Sequence, residues 1–155
     1  MQTRRDVIFH SAKVAALLAS VGMLPSLAHA QVGAYNTAAF EAKTMADLVK
    51  ALGGNAPMES KDITVTGPDI AENGSVVPVG ASTELPGVKR LLILVEKNPA
   101  MMAAMFELTD AVEANVSTRV KMGQSSNVYA VAMMNDGKML FALKEVKVTL
   151  GGCGG

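Results

Sequence analysis

Between residues 36 and 53 the apolar positions recur with the period of a helix. In NTAAFEAKTMADLVKALGG, Met45, Leu48, Val49 and Leu52 stand at i, i+3, i+4 and i+7. Asn36 or Thr37 can cap the run, and Gly53 with Gly54 stops it. The spacing predicts one helix over 36–53. Beyond residue 54 the period shortens to two. Apolar runs over 63–66, 75–80, 88–98, 101–108, 116–122, 128–134, 139–143 and 145–150 predict seven or eight short strands. The run MMAAMFEL at 101–108 is the most ambiguous of them, because alanine and methionine suit a helix as well. Turn signals separate the runs at Glu72-Asn73-Gly74, Asn98-Pro99 and Asn135-Asp136-Gly137, and the last is the clearest hairpin. Pro78 interrupts SVVPVG, which predicts an edge strand or a bulge there, since proline cannot donate to a ladder.

Strands at this spacing after one helix predict a mainly β fold, an immunoglobulin-like antiparallel β-sandwich preceded by an N-terminal helix. The Cys…Trp…Cys pattern of antibody domains is absent from the sequence. At 155 residues, half of them hydrophobic, the chain suits one core rather than two.

Residues 1–30 follow a different logic. TRRDVIF at 3–9, an apolar run over 14–24 and AHA at 28–30 read as an export signal cleaved after Ala30. Arg4 and Arg5, followed by apolar Val7 and Ile8, are the twin-arginine kind, which addresses a folded protein to the periplasm. The apolar run is too short for a lasting transmembrane anchor. The expected organisation is therefore a signal peptide over 1–30, a helical segment over 31–54, a sandwich over 55–150 and a flexible arm over 151–155.

Removing the signal changes the chemistry that is left. Both histidines, His10 and His29, fall inside it. Losing Arg4, Arg5 and Lys13 leaves 11 of the 14 basic residues, and losing Asp6 leaves 13 of the 14 acidic ones, a net charge of −2. So mild a charge gives no basic field for nucleic acid or an anionic membrane. With no histidine and one cysteine, the processed chain cannot build a His-activated nucleophile, a zinc site of the usual N/S type or a c-type haem attachment pair. The expectation is a protein with no enzymatic activity, no metal and no cofactor of its own.

The cysteine itself stands in VKVTLGGCGG, where Gly151, Gly152, Gly154 and Gly155 flank Cys153. Glycine has no Cβ, so the arm is thin and can enter a narrow channel; fully extended, GGCGG reaches roughly 17 Å. A lone cysteine in an oxidising compartment is left with an intermolecular bond or a reactive thiol. The nearest basic residue is Lys147, so the local sequence gives no cause for a lowered thiol pKa. Activation would come from whatever site the arm enters, which is the logic of a covalent carrier.

The stretches GPDIAENGSVVPV, VEKNP, RVKM and above all VKVTLGGCGG resemble SoxY, the sulfur-carrier family of the periplasmic thiosulfate-oxidation (Sox) system. The resemblance implies that Cys153 is the sulfur attachment point. It further implies conjugation of thiosulfate to Cys153 by a haem enzyme, release of sulfate by a dimanganese hydrolase, and oxidation of the remaining sulfane sulfur by a molybdenum-haem dehydrogenase. It also implies a heterodimer with SoxZ, a partner exported alongside.

Two other groups of residues have more ordinary readings. Met101, Met102, Met105, Met133, Met134 and Met139 could offer thioethers to Cu(I), but adaptable packing is the usual role of methionine. Glu96, Glu107, Asp110 and Glu113 stand at strand or turn positions without an acid–base partner, and read as solvated surface. Two alternatives to the carrier are an adhesion-like sandwich that uses Cys153 only to form a disulfide dimer, and a ubiquitin-like carrier that uses a Gly154-Gly155 thiocarboxylate. The second needs ATP, which the compartment addressed by this signal lacks.

Overall fold

A computed structural model of the chain describes residues 36–150. Arg4, Arg5, Ala30, Gly151, Gly152, Cys153, Gly154 and Gly155 lie outside the described residues.

The predicted single helix is two. Helix α1, Thr37–Phe40, is capped by Asn36, whose side chain accepts the Ala39 amide at 3.0 Å. Helix α2, Met45–Leu52, is capped by Thr44, whose hydroxyl accepts the Asp47 amide at 3.1 Å and donates to the Asp47 carboxylate at 2.7 Å. Thr44 adopts an extended conformation to do this, which breaks the run. The break also frees the Ala42 carbonyl, which accepts the Met101 amide at 3.0 Å. Asn36 donates to the Ala51 carbonyl at 3.0 Å and ties the two ends of the pair together. Gly53, with φ +69°, closes α2 in the left-handed conformation expected of a glycine C-cap.

Nine strands follow: β1 Met58–Glu59, β2 Ile63–Thr66, β3 Ile70–Asn73, β4 Val77–Thr83, β5 Val88–Val95, β6 Met102–Glu107, β7 Asn115–Val120, β8 Ser126–Met134 and β9 Met139–Leu150. The larger sheet runs β1-β9-β8-β5-β6, with β3 added alongside the far end of β9, and the smaller runs β2-β4-β7. Both additions to β9 are parallel, whereas the remaining pairs are antiparallel. The two sheets form a sandwich, as the period-two pattern predicts.

Burial explains why one run departs from alternation. Leu91, Ile93 and Val95 of β5 point at the small sheet, into a core with Ile63, Val77, Val79, Val128 and Val146. Leu92 and Leu94 point the other way, into a second core with Val131, Met133 and Met139, which Ala39, Ala42, Leu48 and Leu52 of the helical segment cover. All five residues at 91–95 are therefore buried, the signature of a strand covered on both faces. Met101, Met102, Met105, Met133 and Met139 fill that second core and Met134 packs against the first, the packing role expected of them.

The most ambiguous strand expectation holds, and two others change. The run MMAAMFEL is a strand, β6. The runs at 139–143 and 145–150 are one continuous strand, β9, twelve residues long. The polar position that divides them in the sequence, Lys144, stays in the ladder opposite Val128 and sends its ammonium to the Gly67 carbonyl at 2.7 Å and the Asp69 carboxylate at 2.9 Å. Pro78 lies neither on an edge strand nor at a bulge, because β4 is the middle strand of its sheet and pairs with β7 without a shift. Proline is tolerated because β2 has already ended at Thr66 opposite Gly80, leaving Pro78 a strand neighbour on one side only. The Asn135-Asp136-Gly137 hairpin forms as predicted, with Gly137 at φ +84° and the Asp136 carboxylate accepting the Lys138 amide at 3.0 Å.

Candidate functional site: the root of the arm

Strand β9 delivers the chain to Gly151, so its last residues determine where Cys153 starts from. Val146 is fully buried, Val148 packs against the inner core, and Leu150 is 70% exposed. The strand thus climbs out of the core over its last five residues. On one side β3 runs parallel to it, pairing Ile70 with Lys147, Ala71 with Val148 and Asn73 with Leu150. The Lys147 amide donates to the Asp69 carbonyl at 3.0 Å, the Thr149 hydroxyl to the Glu72 carbonyl at 3.0 Å, and the Gly74 amide to the Leu150 carbonyl at 2.7 Å. On the other side β8 has ended at Ser126, opposite Val146, and the Ser125 hydroxyl accepts the Val148 amide at 2.9 Å. The β3–β4 turn is itself fixed: the Asn73 side chain accepts the Ser75 amide at 2.8 Å, and the Gly74 carbonyl accepts the Met122 amide at 2.7 Å. Every one of these bonds uses a backbone group that a fraying strand end would leave open. The backbone is anchored up to Leu150.

Electrostatics reinforce the start of β3. The Lys144 ammonium, first through its hydrogen bond and then through its charge, holds the Asp69 carboxyl below the usual aspartate range. The carboxylate is solvent-exposed, so this contact orients Asp69 more than it stabilises the fold.

The candidate carboxylates are scattered. Glu107 accepts an ion pair from Arg90 at 2.7 Å, and Glu96 accepts from the Asn127 side chain at 2.8 Å. Asp110 and Glu113 line a groove with Lys61, Asp62 and Glu84, at the end of the sandwich away from the arm root. No group of three or more metal-ligating side chains of the His, Cys, Asp and Glu types gathers among the described residues. Among the same residues no helix is long and apolar enough to cross a membrane. Sequence reasoning missed β3, Ser125 and Thr149, which make the root. Its one visible signal was the Asn73-Gly74 pair, which reads as a turn without revealing that the turn caps β9.

The family model of the sulfur oxidation protein SoxY matches residues 49–153. That span starts inside α2, takes in all nine strands and reaches Cys153. The chain belongs to the SoxY family. Among solved structures, the sulfur carrier protein SoxY of Chlorobium limicola f thiosulfatophilum is 34% identical to this SoxY chain, with a TM-score of 0.60 over 66% of this chain and 93% of that one. A superoxide reductase (neelaredoxin) of Ignicoccus hospitalis has a TM-score of 0.50 at 20% identity, covering 56% of this chain and 78% of its own, and shares the fold alone. No curated protein matches the chain.

Proposed function

We propose that this chain is a sulfur carrier of thiosulfate oxidation and that Cys153 is the atom-bearing residue. One observation carries the reading: the SoxY family match runs through the glycine pair Gly151-Gly152 to Cys153, the single cysteine of the sequence. The anchored root supports it, since a carrier needs a fixed body and a free thiol.

The chemistry is done by others. The Cys153 thiolate joins the outer sulfur of thiosulfate in a two-electron oxidation, RS⁻ + S₂O₃²⁻ → RS–S–SO₃⁻ + 2e⁻, with both electrons passing to a haem enzyme. Water then cleaves the terminal S–S bond, RS–S–SO₃⁻ + H₂O → RS–S⁻ + SO₄²⁻ + 2H⁺, in a dimanganese hydrolase. A sulfane dehydrogenase oxidises the sulfur that remains, RS–S⁻ + 3H₂O → RS–SO₃⁻ + 6H⁺ + 6e⁻, taking up the six electrons, and hydrolysis of the S–S bond, RS–SO₃⁻ + H₂O → RS⁻ + SO₄²⁻ + 2H⁺, regenerates the thiolate. The chain contributes the nucleophilic sulfur and its delivery, with Gly151, Gly152, Gly154 and Gly155 keeping the arm narrow enough to enter each enzyme. Its partner subunit is SoxZ. Arg4, Arg5 and the Ala30 cleavage site address it to the periplasm as a folded protein.

Replacing Cys153→Ser tests the assignment. Thiosulfate-dependent activity of the reconstituted system is expected to vanish while circular dichroism stays unchanged; undiminished activity would refute the carrier role and leave Cys153 as a mere attachment point.

A further inference from the structure

Six large apolar side chains are exposed among the described residues: Met58, Ile70, Val76, Val112, Leu143 and Leu150. Single exposed apolar residues are ordinary and need no explanation. Two of these, however, flank one turn at the root of the arm. Leu150 is 70% exposed and pairs in register with Asn73, and its carbonyl accepts the Gly74 amide. Val76 is 55% exposed, and its amide bonds back to the Asn73 carbonyl at 3.5 Å. Ile70, also exposed, stands three positions before Asn73 on β3, roughly 10 Å along the strand.

The reach of the arm says what meets this surface. Cys153 lies three residues beyond Leu150, so its backbone cannot travel farther than roughly 11 Å from the root. A protein that encloses the Cys153 sulfur in a recessed site must bring the mouth of that site within the same distance. It then stands on Leu150 and Val76.

We propose that Leu150 and Val76, flanked by Ile70, form a docking collar on which the enzyme acting on the Cys153 sulfur seats an apolar rim around its active-site channel. This rests on the carrier reading above. The segments next to the root favour apolar contact over steering by charge, because their exposed lysines, Lys97, Lys121 and Lys147, are equalled in number by exposed Glu72, Glu96 and Glu145. The collar is pre-organised by the bonds from Gly74 to Leu150, from Thr149 to Glu72 and from Met122 to Gly74, so docking has little backbone left to order. Three side chains make a small contact, well below the area of a stable complex, and a carrier that visits several enzymes in turn must also leave each one.

The test uses the full chain in complex with its partner subunit, charged with thiosulfate, and follows sulfate release by the dimanganese hydrolase over a range of carrier concentrations. The double variant Val76→Ser/Leu150→Ser is compared with the parent and with Val112→Ser, an exposed apolar site in the groove at the other end of the sandwich. KM for the double variant is expected to rise by roughly tenfold or more, the effect of truncating the two main apolar anchors of the collar. Its kcat and the rate of Cys153 alkylation by iodoacetamide are expected to stay within about twofold of the parent, and Val112→Ser to match the parent throughout. An unchanged kcat/KM would overturn the collar. So would loss of the partner subunit from the purified double variant, which would assign the surface to that subunit. If the parent itself takes up no sulfur on Cys153, the carrier reading fails first; if it is charged and the double variant turns over as the parent does, only the collar fails.

Discussion

The amide of Gly74 and the carbonyl of Leu150 are joined at 2.7 Å, and this bond is the last backbone contact that the described residues make before the glycine arm. It connects a turn in the first half of the strand sequence to the end of the final strand. The described residues therefore end at a fixed point, Leu150, held by strand pairing rather than frayed.

Ser125→Ala tests how that origin is held. The variant leaves the Val148 amide without its 2.9 Å acceptor at a half-buried position, which costs about 1 kcal/mol locally. Hydrogen exchange at the Val148 amide is expected to accelerate roughly fivefold, with little change in the exchange of Val131 or Leu92. An unchanged Val148 amide would mean that β3 alone holds the root.

Acid should loosen the same region by a separate route. The Lys144 contact depresses the Asp69 carboxyl, so whatever order it adds at the start of β3 is complete above the ordinary aspartate range near pH 4 and is lost as pH falls through the depressed value. Amide exchange at Lys147, which donates to the Asp69 carbonyl, is expected to lose protection on acidification once intrinsic rates are corrected. Lys144→Met should be less protected at neutral pH and lack that acid step. Added salt should weaken the effect in the parent, since Asp69 is open to solvent.

Gly80→Ala probes the small sheet. A Cβ at Gly80 would collide with the Thr66 hydroxyl oxygen and come within 2.9 Å of the Val116 carbonyl, a backbone atom that cannot turn aside. Both neighbours belong to strands paired with β4 at that level. The variant is expected to lose about 1–3 kcal/mol, read as a lower thermal midpoint or denaturation midpoint. Equal stability would show that both β2 and β7 can move away from β4 freely.

Much of the fold was legible because its signals are local. Alternation marked β2 and β7, continuous apolar runs marked β5 and β8, the Asp136-Gly137 pair marked the β8–β9 hairpin, and the Leu48 and Leu52 spacing marked α2. What stayed hidden depends on distant partners. Strand β3, IAEN, has one β-branched residue in four and becomes a strand only because β9 lies beside it. Lys144 reads as a break in β9 until Asp69 and Gly67 are placed near it. Thr44 reads as another helical residue until the Ala42 carbonyl is seen to serve Met101. The arm and its cysteine were plain in the sequence, as the glycines announce them; the proposed collar around the root was not, because strands β4 to β8 stand between Val76 and Leu150 in the chain.

The most direct measurement is the intact mass of the processed protein before and after exposure to thiosulfate and the periplasmic enzymes, and again after a thiol reductant. A carrier shows added mass matching thiosulfonate or sulfane sulfur, localised to Cys153 and removed by the reductant. A bare thiol under every condition, or only a reducible dimer, would contradict the carrier role.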